Sequence, residues 1–419
     1  MTTYWAPLLH VYQPPWQDVN VLKRIYKESY LPLLSMMERH ENMKITLNIQ
    51  GCLLDQFSAL NLRQPRKITQ RLLAEEKVEL VGSAKYHPIL PLIPKPEIVR
   101  QIRINTETLV HHFPSVKLRG FFPPEMAVSS DLDQIVKDTG YEWLIADGIA
   151  NGGVWPHSHV QRSPTGLITL FRDSYLSNMI SFNKISATGF LDHLSEMYED
   201  SPDQDHYIIT AQDAETFGHH IKYYETAFLG KVFSLLEDRD DIKVVFLSDL
   251  LALFPIIEGS PVKSSSWSTD GSDLASNVPF PLWQHPLNPV HKYMYRMLTP
   301  LYQLMEMTER ESLKEGSNGN FQNYYSTARF FYDQALHSCW LWWGAGSTST
   351  KGMWSPNLIY KGIDLLLKTA LNAQLALIGL KIGKGDVFYS RIIDNSEKLM
   401  NELITQEAAG QRLKTFGNF

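Results

Sequence analysis

Leu118-Arg-Gly-Phe-Phe-Pro-Pro-Glu125-Met126 and its counterpart Tyr207-Ile-Ile-Thr-Ala-Gln-Asp213-Ala-Glu215-Thr-Phe-Gly-His219-His220 decide how this chain is read. Each begins as a short apolar or β-branched run, the mark of a buried strand, and ends in a carboxylate followed by a loop signal. Outward from these two, similar runs recur at residues 5–10, 44–49, 77–81, 142–146, 167–171 and 243–247. Amphipathic stretches lie between several of them. Residues 130–139, opening on Ser130-Asp131 and stopping at Gly140, carry helix start and stop signals. Strand–helix alternation of this kind predicts an α/β fold with a parallel sheet, and so many repeats predict a closed or nearly closed (β/α) barrel. Side chains just past the strand ends face the mouth of such a barrel. Glu125 and Asp213 are then expected to meet across one cleft, as a nucleophile and an acid/base must in glycoside chemistry.

Composition narrows the classes. Hydrophobic residues at 44% and charged residues at 20% describe a folded globular protein rather than a disordered one. A net charge of −6 gives no electrostatic case for nucleic acid or an anionic membrane as partner. With Cys52 and Cys339 as the two cysteines, a disulfide framework and a Cys-ligated zinc site are excluded by count. The chain enters an apolar strand at once, without a basic leader, and contains no run long enough to span a bilayer, so a cytoplasmic protein is expected. Residues 1–258 read as the barrel. Residues 259–289, rich in Ser, Gly and Asp around Trp267, read as a connecting loop over the cleft. Residues 290–419 read as an all-α helical bundle, with helices at 290–314, 321–343, 356–380 and 385–413. Breaks are expected at Gly316-Ser-Asn-Gly and Gly344-Ala-Gly-Ser.

Taken together, these segments resemble glycoside hydrolase family 57. His10-Val-Tyr12-Gln13-Pro14 is similar to its first motif, and Glu79-Leu-Val-Gly82-Ser-Ala-Lys-Tyr86-His87-Pro88 to its second. Gly120-Phe-Phe-Pro-Pro-Glu125 resembles the third, which carries the family's nucleophile. Asp213-Ala-Glu215-Thr-Phe-Gly218-His219 resembles the fourth, which carries the acid/base. A fifth is similar to His337-Ser-Cys339-Trp340-Leu-Trp342-Trp343, and Phe171-Arg172-Asp173 looks like a block beside the cleft. The resemblance implies an incomplete TIM-type (β/α)7 barrel followed by a helical domain, acting on α-glucans or maltooligosaccharides by a retaining mechanism with no cofactor and no metal. It spans the α-amylase, 4-α-glucanotransferase, amylopullulanase and branching-enzyme activities. The chain departs from the pattern at Tyr12, which replaces a histidine, and at Phe122-Pro123, where many members carry Trp.

Each candidate has a plainer reading. On that reading Glu125 is a rim carboxylate paired with Arg119, and Asp213 is a helix cap. Catalysis needs Glu125 ionised below the anomeric carbon and Asp213 protonated until the leaving oxygen departs. His10, Tyr12, Gln13, Glu79, His87, Asp173, Glu215 and His219 are the expected substrate-binding residues, with Trp267, Trp340 and Trp343 as stacking surfaces. Rival readings are a metal-dependent carbohydrate deacetylase or mannosidase on a related barrel, and a catalytically silent glycan-binding protein.

Overall fold

The computed structural model describes residues 2–196, 204–314 and 319–410. The chain divides into one unit of residues 1–91 and 95–267, and a second of residues 92–94 and 268–419. The first contains β1 (Thr3–Val11), β2 (Ile45–Ile49), β3 (Val78–Leu80), β4 (Gly120–Phe121), β5 (Trp143–Asp147), β6 (Val160–Arg162), β7 (Ile168–Arg172), β8 (His206–Asp213), β9 (Ile242–Val244) and β10 (Ile256–Glu258).

Seven of these strands are barrel staves. β8, β1, β2 and β3 run parallel in one sheet, and β4, β5 and β7 run parallel in the other. The sheets join at both edges. At one edge, Gly82 N–H donates to Gly120 O (2.8 Å) and Phe122 N–H to Gly82 O (2.9 Å). At the other, Asp173 N–H donates to Ile209 O (2.8 Å). The predicted strand at 243–247 is not a stave. β9 pairs with Thr3–Trp5 of β1, whereas β2 pairs with Leu8–Val11 of β1. β6 and β10 were not expected. β6 runs antiparallel to β7 through a turn at 163–166, where Gly166 (φ +88°) supplies the left-handed backbone that favours glycine. β10 then pairs with β6.

Alternation along the staves sorts side chains into two cores. Ala6, Leu8, Ile209, Ala211, Trp143, Ile145, Ile168 and Leu170 pack together inside the barrel. Trp5, Leu9, Val11, Ile45, Leu47, Ile49, Val78, Leu80 and Ile208 belong to the core beneath the surrounding helices. Continuing the inward period of two places His10, Asn48, Asp147, Arg172 and Asp213 at the C-terminal end of the lumen. The cross-strand pairs His10–Asn48 and His10–Asp213 put three of them on one level.

The second unit holds long helices at Pro289–Ser312, Gly319–Ala335, Pro356–Gly379 and Asp386–Ala408. The second packs chiefly on the third, and the first on the fourth. Gly316, Ser317 and Asn318 of the expected break, and the 411–413 end of the expected last helix, lie outside the described residues. The helix expected over 321–343 stops at Ala335, and a short helix, Cys339–Trp342, follows. This break seats Trp340 against Gly362, where an added Cβ would come within 2.7 Å of it. Among the described residues, no helix is long and apolar enough to cross a membrane.

The seam at Gly82 is testable. A Cβ there would meet the Tyr141 hydroxyl at 2.0 Å. Gly82→Ala is expected to lower unfolding stability by about 1–3 kcal/mol, the usual range for overpacking, as measured by urea titration. An unchanged midpoint would mean that the β3–β4 seam yields freely.

Candidate active site

Glu125 lies in a three-residue helical turn, Pro124–Met126, separated from β4 by Phe122 and Pro123. Its backbone is left-handed (φ 57°, ψ 19°), and Met126 continues at φ 46°. Each such residue with a Cβ costs roughly 1–2 kcal/mol relative to ordinary backbone. The Pro123-Pro124 step stiffens the approach to it. Arg119 does not pair with Glu125. Its Nε and Nη2 atoms form a two-pronged bond with Glu142 (3.0 and 2.7 Å). Glu125 instead accepts from the Trp267 indole N–H at Oε2 (2.9 Å), and Oε1 faces His87 Nδ1 at 3.8 Å.

His87 leads back to β1. The Nε2 atoms of His87 and His10 are 3.0 Å apart, and His10 Nδ1 donates to Asn48 Oδ1 (2.7 Å). Burial pushes His10 down to about 4, so it is neutral near pH 7. With its Nδ1 proton on Asn48, His10 Nε2 accepts, and His87 Nε2–H donates to it. The rings form a column. Phe122 stacks on His10 (4.6 Å, 13°), and Tyr12 stacks on His87 (3.9 Å, 14°).

Asp213 ends β8 directly across from His10, so both side chains point into the same mouth. It precedes the turn Ala214–Thr216 but makes no side-chain cap bond there. Burial raises its pKa to about 6, against the opposing charge of Arg172. Glu215 is likewise raised, to about 8, by burial and then by the charge of Asp213. Glu215 Oε1 accepts from Gln13 Nε2 (3.0 Å) and from the Tyr30 hydroxyl. Arg172 supplies the cation at this end of the lumen. It pairs with Asp147 (2.7 Å), donates to Ala211 O (2.9 Å) and Asn178 Oδ1 (3.0 Å), and lies over the Trp267 ring at 5.6 Å.

The structure therefore gathers His10, Tyr12, His87, Trp267 and Glu125 on one side, and Gln13, Glu215 and Asp213 on the other. Several expected residues are placed elsewhere. Glu79 pairs across from Thr46, one inward layer below His10. There it accepts from Thr46 Oγ1 (2.6 Å) and Ser248 N–H (3.2 Å), bracing the turn that plugs the N-terminal end of the barrel. Asp173 caps the helix Ser174–Ser181, accepting from Leu176 N–H (2.9 Å). His219 Nδ1 lies 2.7 Å from Glu28 Oε2, which also holds Lys222. Trp340 and Trp343 are buried in the helical unit, Trp340 against Gly362 and Trp343 edge-on to His337. Sequence reasoning missed Asn48, Asp147 and Tyr30, and it named Arg172 within a block beside the cleft without giving it a role. A polar residue interrupting or ending a buried apolar run signals Asn48, Asp147 and Arg172, but nothing signals Tyr30. Among the described residues, no three His, Cys, Asp or Glu side chains gather to hold a metal ion.

Glu215 yields a pH prediction. Its folded pKa lies above the ordinary 4.5, so the stability from its buried proton is complete below about 4.5 and is lost as pH rises to about 8. Glu215→Gln preserves the acceptor for Gln13 and Tyr30 and removes the titration. Wild-type melting temperature is expected to fall across that window, and the fall should be smaller in the variant. Parallel curves would show that Glu215 does not titrate there.

Comparison with known proteins fits this arrangement. Residues 9–256 match the model of glycosyl hydrolase family 57. An α-amylase from Pyrococcus horikoshii is 25% identical over 258 residues, covering 59% of this chain and 40% of its own length. The chain thus spans well under two thirds of the curated relatives it matches. Among solved structures, a 4-α-glucanotransferase from Thermococcus litoralis aligns over 88% of this chain and 59% of its own (TM-score 0.67, 18% identity). An α-amylase from Thermotoga maritima aligns over 99% of this chain and 98% of its own (TM-score 0.66, 14% identity). At these identities the structural matches establish the barrel-and-helices fold. The family match covers more than half of the chain, including both acid-bearing strand ends, and on that ground the protein belongs to glycosyl hydrolase family 57.

Proposed function

We propose that the protein is a retaining glycoside hydrolase or transglycosylase acting on α-glucosidic linkages of α-glucans or maltooligosaccharides. One observation carries the reading: Glu125 and Asp213 approach the same histidine, one through His87 and the other as the direct cross-strand partner of His10. Two carboxyl groups of unlike environment in one mouth are what double displacement requires. Glu125, whose carboxylate accepts from the Trp267 indole N–H, is the nucleophile and attacks the anomeric carbon. Asp213, whose burial favours its proton, protonates the departing oxygen. The glycosyl ester on Glu125 is then released when Asp213 takes a proton from incoming water or a sugar hydroxyl. Whether water or a sugar is the acceptor separates hydrolase from transferase, and the names of the relatives include both kinds.

Chemical rescue tests these roles. Glu125→Gln is expected to form no glycosyl–enzyme while still binding maltooligosaccharide. Asp213→Ala is expected to lose about 10²–10⁴-fold in kcat on natural glucans, the usual worth of general acid–base catalysis. It should nevertheless react with a glucosyl fluoride, whose leaving group needs little protonation, and azide should then restore turnover with retained anomeric configuration. An intermediate trapped in the Glu125 variant instead of the Asp213 variant reverses the assignment. Wild-type activity in both variants removes it.

A further inference from the structure

Two consecutive left-handed residues, Glu125 and Met126, persist only where their surroundings over-determine them. The segment doing this comes from far along the chain. Val128 N–H donates to Ser265 O (2.9 Å), and Ser265 N–H returns a bond to Val128 O (3.2 Å). Two residues on, Trp267 N–H donates to Glu125 O (3.1 Å), and the indole Nε1–H donates to Glu125 Oε2 (2.9 Å). One residue thus holds both the backbone and the carboxylate of Glu125. The indole is fixed in turn. The Arg172 guanidinium lies over the ring at 5.6 Å, and the rings of His10 and Phe122 meet it nearly perpendicularly at 6.0 and 5.9 Å. Such packing leaves a side chain little freedom to swing toward a sugar.

We propose that Trp267 is a positioning residue for the reaction, aiming the Glu125 carboxylate through its indole N–H and favouring its ionised form, rather than a platform on which a sugar stacks. The proposal rests on the reading of Glu125 as nucleophile. An indole N–H is a donor that never titrates, so it supports the anion at every working pH. A donor to the charged form of an acid lowers its pKa. The two roles make opposite demands on the ring: a platform needs the apolar face, whereas a positioning residue needs the nitrogen.

Trp267→Phe keeps the face and removes the donor. If the proposal holds, this variant loses about 10–100-fold in kcat for glycosyl–enzyme formation, the worth of one hydrogen bond to a charged group, with KM nearly unchanged. The acid limb of its kcat/KM profile moves to higher pH. A loss confined to KM, or wild-type kcat with an unmoved acid limb, overturns the proposal. A second measurement leaves Trp267 in place and does not depend on Trp267→Phe folding. In a ¹⁵N-tryptophan-labelled sample, the indole signal displaced by Glu125→Gln should titrate along the acid limb. If no indole signal is displaced by that substitution, or the displaced one does not titrate, the proposal fails. The nucleophile reading has its own test: Glu125→Gln with wild-type turnover removes that reading, whereas an inactive Glu125→Gln beside an unaffected Trp267→Phe overturns the Trp267 proposal alone.

Discussion

β1 is the member on which the rest of the molecule depends. A strand buried on both faces has no water to satisfy its backbone, so each edge must find a partner along its length. One edge of β1 is paired with β8 from Thr3 to His10. The other is divided between β9 at its start and β2 at its end. That shared pairing fixes the register, and the register places the chemistry. A slip of one residue along either edge would turn His10 or Asp213 out of the lumen.

Polar groups at the top of the lumen are arranged so that few charges stand alone. Arg172 has carboxylate, amide and carbonyl acceptors around it, and the neighbouring acids respond unequally to their burial. Burial, with the charge of Asp213 added to it, pushes the Glu215 pKa up to about 8, whereas burial raises that of Asp213 to about 6 against the opposing charge of Arg172. Glu125 is managed differently, by a forced backbone and a fixed donor. Strain of this kind is tolerable in a large barrel, where two well-filled cores outweigh one awkward turn.

Much of this was legible in the sequence, for definite reasons. β2, β5 and β7 are buried along their whole lengths, and β1 and β8 at every position but one, so they appear as largely apolar runs. β10 is exposed at all three positions and β6 is three residues long, so neither carries such a signal. The histidines and acids at strand ends were identifiable because strand ends face the mouth. Glu79 was misplaced because period-two alternation says that a side chain points inward but not at which layer. Trp267 was recognisable as important, yet its indole was expected to meet sugar. The backbone conformation of Glu125, which creates the need for a clamp, has no counterpart in residue type, since left-handed backbone is normally announced by glycine or asparagine.

The divided edge of β1 also has a consequence in time. β1 and β8 are about 200 positions apart, which at ribosomal rates separates their synthesis by roughly 10–40 s. During that interval Tyr4-Trp5-Ala-Pro-Leu-Leu-His10 can find β2 but not β8, and it carries an unsatisfied, strongly apolar edge. Long-range parallel pairing is slow to form even once both partners exist. The strand that organises the finished barrel is therefore also exposed to aggregation while the chain is being made, and yield on overexpression should depend more on chaperone capacity and temperature than on the stability of the folded protein.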